Sequence, residues 1–365
     1  MKLTLHIGHY KTGSTAVQDH FARNRASYRK HGLLYPKTGR AVRSRRCHSA
    51  VAFQELHTAE RKVARWYAAT DEFRAFAAGK RTPLLDAMIQ EIATKQPDHV
   101  LVSTEEFIRF GGPRGVPQTA AARLVEAFGA DEVHILCYLR RPDRYLEAWY
   151  NQLIKGGRSP KRLARNLDRL IPTVHVQFAD ALAYWAQLPN VSRVTVHRYE
   201  NAADNLIDDV VAAIEAPDLG DLRKSASAAD VNPRLPDQFV EFARRANKQL
   251  PGGAADRAAT LSQLAADSQI GSVPVYFLDL QARQRLLELF RPIDQQLADI
   301  AGTGATFFSD LEEMTEIDSG AISDVEALHR WGRIAEDATR DRLAPPQKPM
   351  GAGEAVGSTA ISPGS

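Results

Sequence analysis

The 365 residues are 44% hydrophobic and 25% charged, proportions that allow a substantial buried core and exclude general disorder. A net charge of +3, with no long basic stripe interleaved with aromatics, excludes a nucleic-acid surface and leaves room for local anion sites. Two cysteines, Cys47 and Cys137, are too few for a disulfide framework or a cysteine metal cluster. No run approaches ~18 apolar residues and the first residues already follow a strand pattern, so the expectation is a cytoplasmic protein without a membrane span.

Leu3, Leu5 and Ile7 alternate with Thr4 and His6, the period of a strand, and the run stops at Gly8. GHYKTGST, Gly8 to Thr15, follows the outline GxxxxGK[ST], but Ser14 stands where the lysine belongs and Lys11 lies inside the loop. Ala16, Val17, His20 and Phe21 then recur at helical spacing. The loop therefore hands its amides to a helix N-terminus, where orphan N–H groups and the helix dipole favour an anion. A phosphate ester is the expected ligand.

LLYP, Leu33 to Pro36, is a short element followed by a loop with Arg40, Arg43, Arg45 and Arg46. A mostly helical run begins near His48 and reaches about Lys80. Pro83 opens a helix through Leu84, Met88 and Ile92, and HVLVSTEEF is a short buried strand running out into Glu105 and Glu106. After a Gly and Pro loop, a helix through Leu124 and Val125 leads to the strand Val133 to Leu139. That strand enters RRPDRYLEAWYNQLIKGG, a helix stopped by Gly156 and Gly157. A basic loop from Arg158 to Arg169, a helix from Phe178 to Leu188, a strand from Val194 to Tyr199 and a helix through Leu206 and Ile214 follow.

This alternation predicts an α/β fold: a P-loop-like, three-layer arrangement with a mostly parallel sheet covered by helices on both faces. Residues 1–340 are read as one domain, with 217–340 a mostly helical cap lacking strands. Residues 341–365, rich in Pro, Gly, Ala and Ser, are read as a disordered tail.

Three blocks resemble the sulfotransferases that use 3'-phosphoadenosine 5'-phosphosulfate (PAPS), most of all bacterial members acting on carbohydrates or other small hydroxyl compounds. HIGHYKTGST is similar to the 5'-phosphosulfate loop, with lysine before the glycine and hydroxyls after it. CYLRRPDRYLEAWY resembles the 3'-phosphate block: strand, Arg, turn, then a helix with a hydroxyl eight positions after the Arg. VLVSTEEF is similar to a strand-plus-glutamate segment of bacterial relatives. The likeness covers about residues 1–215 and extends more loosely to near Ile300.

The resemblance implies PAPS as co-substrate, no metal, and a carbohydrate or other small acceptor. Lys11 would stabilise the departing phosphate, while Thr12, Gly13, Ser14 and Thr15 hold the 5'-phosphate and Arg140 the 3'-phosphate. Eight positions after Arg140 stands Ala148 instead of serine, a departure that removes one hydrogen bond, ~1 to 3 kcal/mol if nothing replaces it. Arg223 and Lys224 in LRKS resemble a basic RKG segment without its glycine. Glu105, expected at the active edge of the sheet, and His48, after the arginine loop, compete for the role of base; Glu106 is a weaker copy. Tyr145, Trp149 and Tyr150 are assigned to the core.

Two other readings remain. Ala148 suits a nucleotide-binding protein without catalysis. The loop outline suits a P-loop kinase or NTPase, against which stand Ser14 in place of the lysine and the lack of a Walker B aspartate.

Overall fold

The computed structural model describes residues 1–40, 45–112, 115–220, 222, 234–250, 253–266, 270 and 273–343. At its centre lie β1 (Lys2–Gly8), β2 (Leu33–Leu34), β3 (His99–Ser103), β4 (Glu132–Leu139) and β5 (Val191–Arg198), all parallel, in the order β2-β3-β1-β4-β5. Apolar runs such as VHILCYL suit this placement, because a central parallel strand is buried on both faces.

Alternate side chains of the strands feed two apolar clusters. Leu3, Leu5, Ile7, Val100, Val102, Ile135 and Cys137 join one; Leu101, Leu136 and Tyr138 join the other. The second cluster is closed by Val17, Phe21 and Tyr28 of α1 (Ser14–Lys30) and by Leu206 and Val210 of α11 (Leu206–Ala213). The first packs against α2 (Ser49–Thr58), α5 (Leu84–Lys95), α6 (Gln118–Ala127), α7 (Pro142–Lys155) and α9 (Phe178–Ala186), and continues to Ala335. Polar strand residues pair across the ladder: Thr4 Oγ1 lies 2.9 Å from His99 Nε2, and His6 Nδ1 2.8 Å from Ser103 Oγ, while His6 Nε2 is buried without a hydrogen-bond partner among the described residues.

Several boundaries differ from expectation. The run after His48 breaks into α2, α3 (Arg65–Ala68) and α4 (Asp71–Ala77). The stretch read as a basic loop contains α8 (Leu163–Leu170), whose Leu163 and Leu167, one turn apart, are buried beneath its basic face. The short helix α10 (Tyr199–Ala202) follows β5 directly. In the C-terminal part, α12 (Val240–Gln249), α13 (Ala254–Ala266), α14 (Leu280–Ala301) and α15 (Asp324–Leu343) accompany two strands the sequence did not signal, β6 (Val275–Tyr276) and β7 (Ile322–Ser323). These two-residue strands pair parallel across more than forty positions, too short for any period to show. The α14 helix packs on α7, α9 and β5. The expected tail begins inside α15, and residues 344–365 lie outside the described residues. No helix among the described residues is long and apolar enough to cross a membrane.

Candidate active site

The carboxyl ends of β1, β3, β4 and β5 open into one cleft of about 1050 Å³, where ligands gather in open parallel sheets. The turn after β1 forms its floor. Gly8 has φ +107°, and a Cβ there would stand 3.0 Å from Glu105 Cα; Gly13 has φ +74°, and a Cβ there would stand 2.2 Å from Leu206 Cδ2. Both positions thus require glycine for conformation and for close approach. Thr12 is buried, and its hydroxyl donates to His9 O at 2.6 Å, so its side chain braces the turn instead of facing the cleft. Gly13 O accepts from the amides of Ala16 and Val17. Among the described residues, no group accepts from the Ser14 or Thr15 amide, and both residues line the cleft at the start of α1. Those two amides are placed for an anion.

Lys11 takes the left-handed conformation, φ +62°, and sends Nζ to Gln152 Oε1 at 3.2 Å, across to α7. Burial lowers its pKa to about 8; the charges of Lys155, Arg234 and Arg140 add to the effect and Glu105 opposes it. Arg140 follows β4 and also lines the cleft, with Nε 3.3 Å from Glu200 Oε1 and its guanidinium 5.7 Å from the Tyr199 ring centre. Arg141 turns away into a buried network, pairing with Asp143 at 2.8 Å and Asp310 at 3.1 Å. Ala148 forms part of the cleft wall on α7.

Glu105 opens the 3-10 turn Glu105–Phe110 and lines the cleft, with Oε2 accepting from Gln18 Nε2 at 2.9 Å. Glu106 also lines it, but Arg109 occupies its carboxylate at 2.8 Å and burial raises its pKa. His48 does not reach the cleft. Its ring is fully buried, Nε2 bonds Pro36 O at 3.0 Å, Nδ1 accepts from the Ser103 amide at 3.1 Å, and burial lowers its pKa to about 4. A ring with both nitrogens engaged in this way ties β3 to the arginine loop and has no lone pair for a substrate. Arg223 lies outside the described residues.

The cleft thus gathers Lys11, Gly13, Ser14, Thr15, Glu105, Arg140 and Ala148. It adds residues the sequence did not mark. Trp149, assigned to the core, is half-buried in the wall with its ring 5.0 Å from that of Tyr10. Arg45 and Arg46 come from the arginine cluster, and Arg46 is fixed by buried Asp19 at 3.0 Å. Gln18 stands one helical turn after Ser14, a spacing that could have placed it beside the loop. Nothing near Arg234 in sequence signals its presence here. Chemically, two free amides, Lys11 and Arg140 suit a multiply charged anion, and Glu105 supplies a carboxylate on the facing edge.

No family model matches the chain. Over 189 residues it is 28% identical to an uncharacterized protein of Archaeoglobus fulgidus; the match covers 49% of this chain and 49% of that protein. The chain therefore aligns with about half the length of this relative, which carries no stated activity.

Proposed function

We propose that the protein is a sulfotransferase that moves a sulfonate from PAPS to a hydroxyl or amine of a carbohydrate or other small acceptor, on a P-loop-like three-layer α/β fold. The observation that carries this reading is the convergence of the β1 loop, Arg140 and Glu105 on one cleft from three strand ends. Ser14 and Thr15 amides would take the 5'-phosphate and Arg140 the 3'-phosphate. Lys11 would neutralise the charge that builds on the bridging oxygen as the sulfur–oxygen bond to phosphate breaks. The acceptor oxygen bonds to sulfur in line and its proton passes to Glu105, which becomes the favoured base because His48 is engaged elsewhere.

The kinase alternative would need a lysine directly after Gly13 and a Walker B aspartate at the end of a neighbouring strand; Ser14 stands at the first position, and β3 leads through Thr104 into Glu105 and into Glu106, which is paired with Arg109. The binding-protein alternative keeps one supporting observation, Ala148 in the cleft wall. Calorimetry with adenosine 3',5'-bisphosphate and transfer of labelled sulfonate onto carbohydrate, phenol and amine acceptors test the reading. Micromolar binding with transfer that Lys11→Ala abolishes, at unchanged circular dichroism, is the expected result. No binding overturns both nucleotide readings, and full turnover in Lys11→Ala overturns the mechanism.

A further inference from the structure

Arg234 reaches the cleft from a part of the chain 79 residues beyond the end of α7, and its position is built. Asn151, buried on α7, donates through Nδ2 to Leu235 O at 2.7 Å and to Asp237 Oδ1 at 3.0 Å, while its Oδ1 accepts from the Leu235 amide at 3.2 Å. Asp237 in turn accepts from Arg234 Nε at 3.0 Å and lies 2.9 Å from a terminal guanidinium nitrogen. One buried amide thus fixes both the backbone beside Arg234 and the carboxylate that orients its side chain. Ala148, Asn151 and Gln152 are spaced i, i+3 and i+4, so they share one face of α7. Arg234 is consequently pinned one turn from the bare wall at Ala148 and next to the residue that holds Lys11.

The charge arrangement gives this placement a purpose. Lys11, Arg140 and Arg234 line the same cleft, and Lys155 and Arg234 are the charges that weigh most on Lys11 after burial, with Arg140 next and Glu105 opposing them. Of the two glutamates in the lining, Glu106 is already paired with Arg109. Cations fixed in mutual repulsion in a partly buried cleft form a site for a polyanion.

We propose that Arg234 binds the same ligand anion as Lys11, a phosphate or the sulfonate joined to it, and that Asn151 and Asp237 are positioning residues that hold it there. This rests on the nucleotide reading given above. It carries a signature that an arginine away from the charge of Lys11 lacks. At pH 8 roughly half of Lys11 is neutral in the empty cleft, and an anion restores the proton, so binding takes up protons from the buffer. Removing the charge of Arg234 relieves Lys11 and reduces that uptake.

The experiment is titration of the whole 365-residue chain with adenosine 3',5'-bisphosphate at pH 8 in two buffers of different ionisation enthalpy, for wild type, Arg234→Gln and Arg234→Lys. Gln retains a donor for Asp237, and circular dichroism checks the fold. The expected result is binding about tenfold or more weaker in Arg234→Gln, with smaller proton uptake, and partial recovery of both in Arg234→Lys. A wild type that ignores the bisphosphate overturns the nucleotide reading and this assignment with it. Wild-type binding with Arg234→Gln unchanged overturns Arg234 alone, as does weaker binding with unaltered proton uptake, which would make Arg234 only a fold contact.

Discussion

Lys11 and His48 are both titratable groups near the ends of central strands, yet their surroundings give them opposite roles. Lys11 faces the cleft with a pKa of about 8, so its cationic form is lost as pH rises through that value. Affinity for adenosine 3',5'-bisphosphate is therefore expected to fall between about pH 7.5 and 9, and a flat profile would mean that Lys11 does not meet the anion. His48→Phe removes two buried hydrogen-bond partners, leaving the Ser103 amide and Pro36 O unpaired. It should cost about 1–3 kcal/mol of stability in urea unfolding, with nucleotide affinity unchanged; lost turnover at intact stability would restore His48 as the base. Ala148 sits in the cleft wall, and the proposed sulfotransferase reading has a hydroxyl for the 3'-phosphate at this position. Ala148→Ser should tighten nucleotide binding by up to about tenfold, and unchanged affinity would mean another group already serves that phosphate.

At the scale of elements, the site depends on how the β1 turn is pressed against α11. Gly13 sits at φ +74° with Leu206 where a Cβ would go. Gly13→Ala must shift the Leu206 methyl and hold a strained backbone, at about 1–2 kcal/mol. The same shift moves the Ser14 and Thr15 amides, so thermal midpoint and bisphosphate affinity should fall together; loss of neither would show that the turn is not held by α11. Such local features were readable in the sequence because each lies in one continuous stretch: the alternation of Leu3, Leu5 and Ile7, the paired glycines, and the strand-to-helix passage through Arg140. Arg234 and the β6–β7 pair were not readable, because tertiary partners define them. His48 misled for the same reason: a histidine after an arginine loop resembles a base until Pro36 and Ser103 are seen to take both nitrogens. The basic residues of α8 likewise hid a two-leucine apolar face.

Across the whole molecule, one consequence of burying histidines, in the strands and outside them, is acid sensitivity. Burial lowers the pKa of His6, His9, His48, His99 and His134 to about 4 and of His175 to about 3. Each ring has a partner suited to neutral imidazole, among them Ser103 for His6, Val174 O for His9, Thr195 for His134 and the Tyr145 hydroxyl for His175. Between about pH 6.5 and 4 the unfolded chain binds these protons and the folded chain does not. Their contribution is therefore complete above about 6.5 and is lost as pH falls through that window, at up to about 1.4 kcal/mol per pH unit for each ring. Glu147 works the other way: burial raises its pKa to about 7 despite the Arg283 guanidinium, so the folded chain keeps a proton that the unfolded chain releases. Burial raises the pKa of Glu55, Glu106, Asp237 and Asp294 in the same direction; these carboxyls offset part of the effect of the six rings, and the expected balance is loss of stability in acid. Urea unfolding from pH 7.5 to 4.5 should show the midpoint falling steadily below about pH 6.5, with net uptake of more than one proton on unfolding. A midpoint that holds or rises over that range would mean that the rings beneath the sheet are protonated in the folded protein. The hydrogen bonds assigned to their neutral forms would then be wrong.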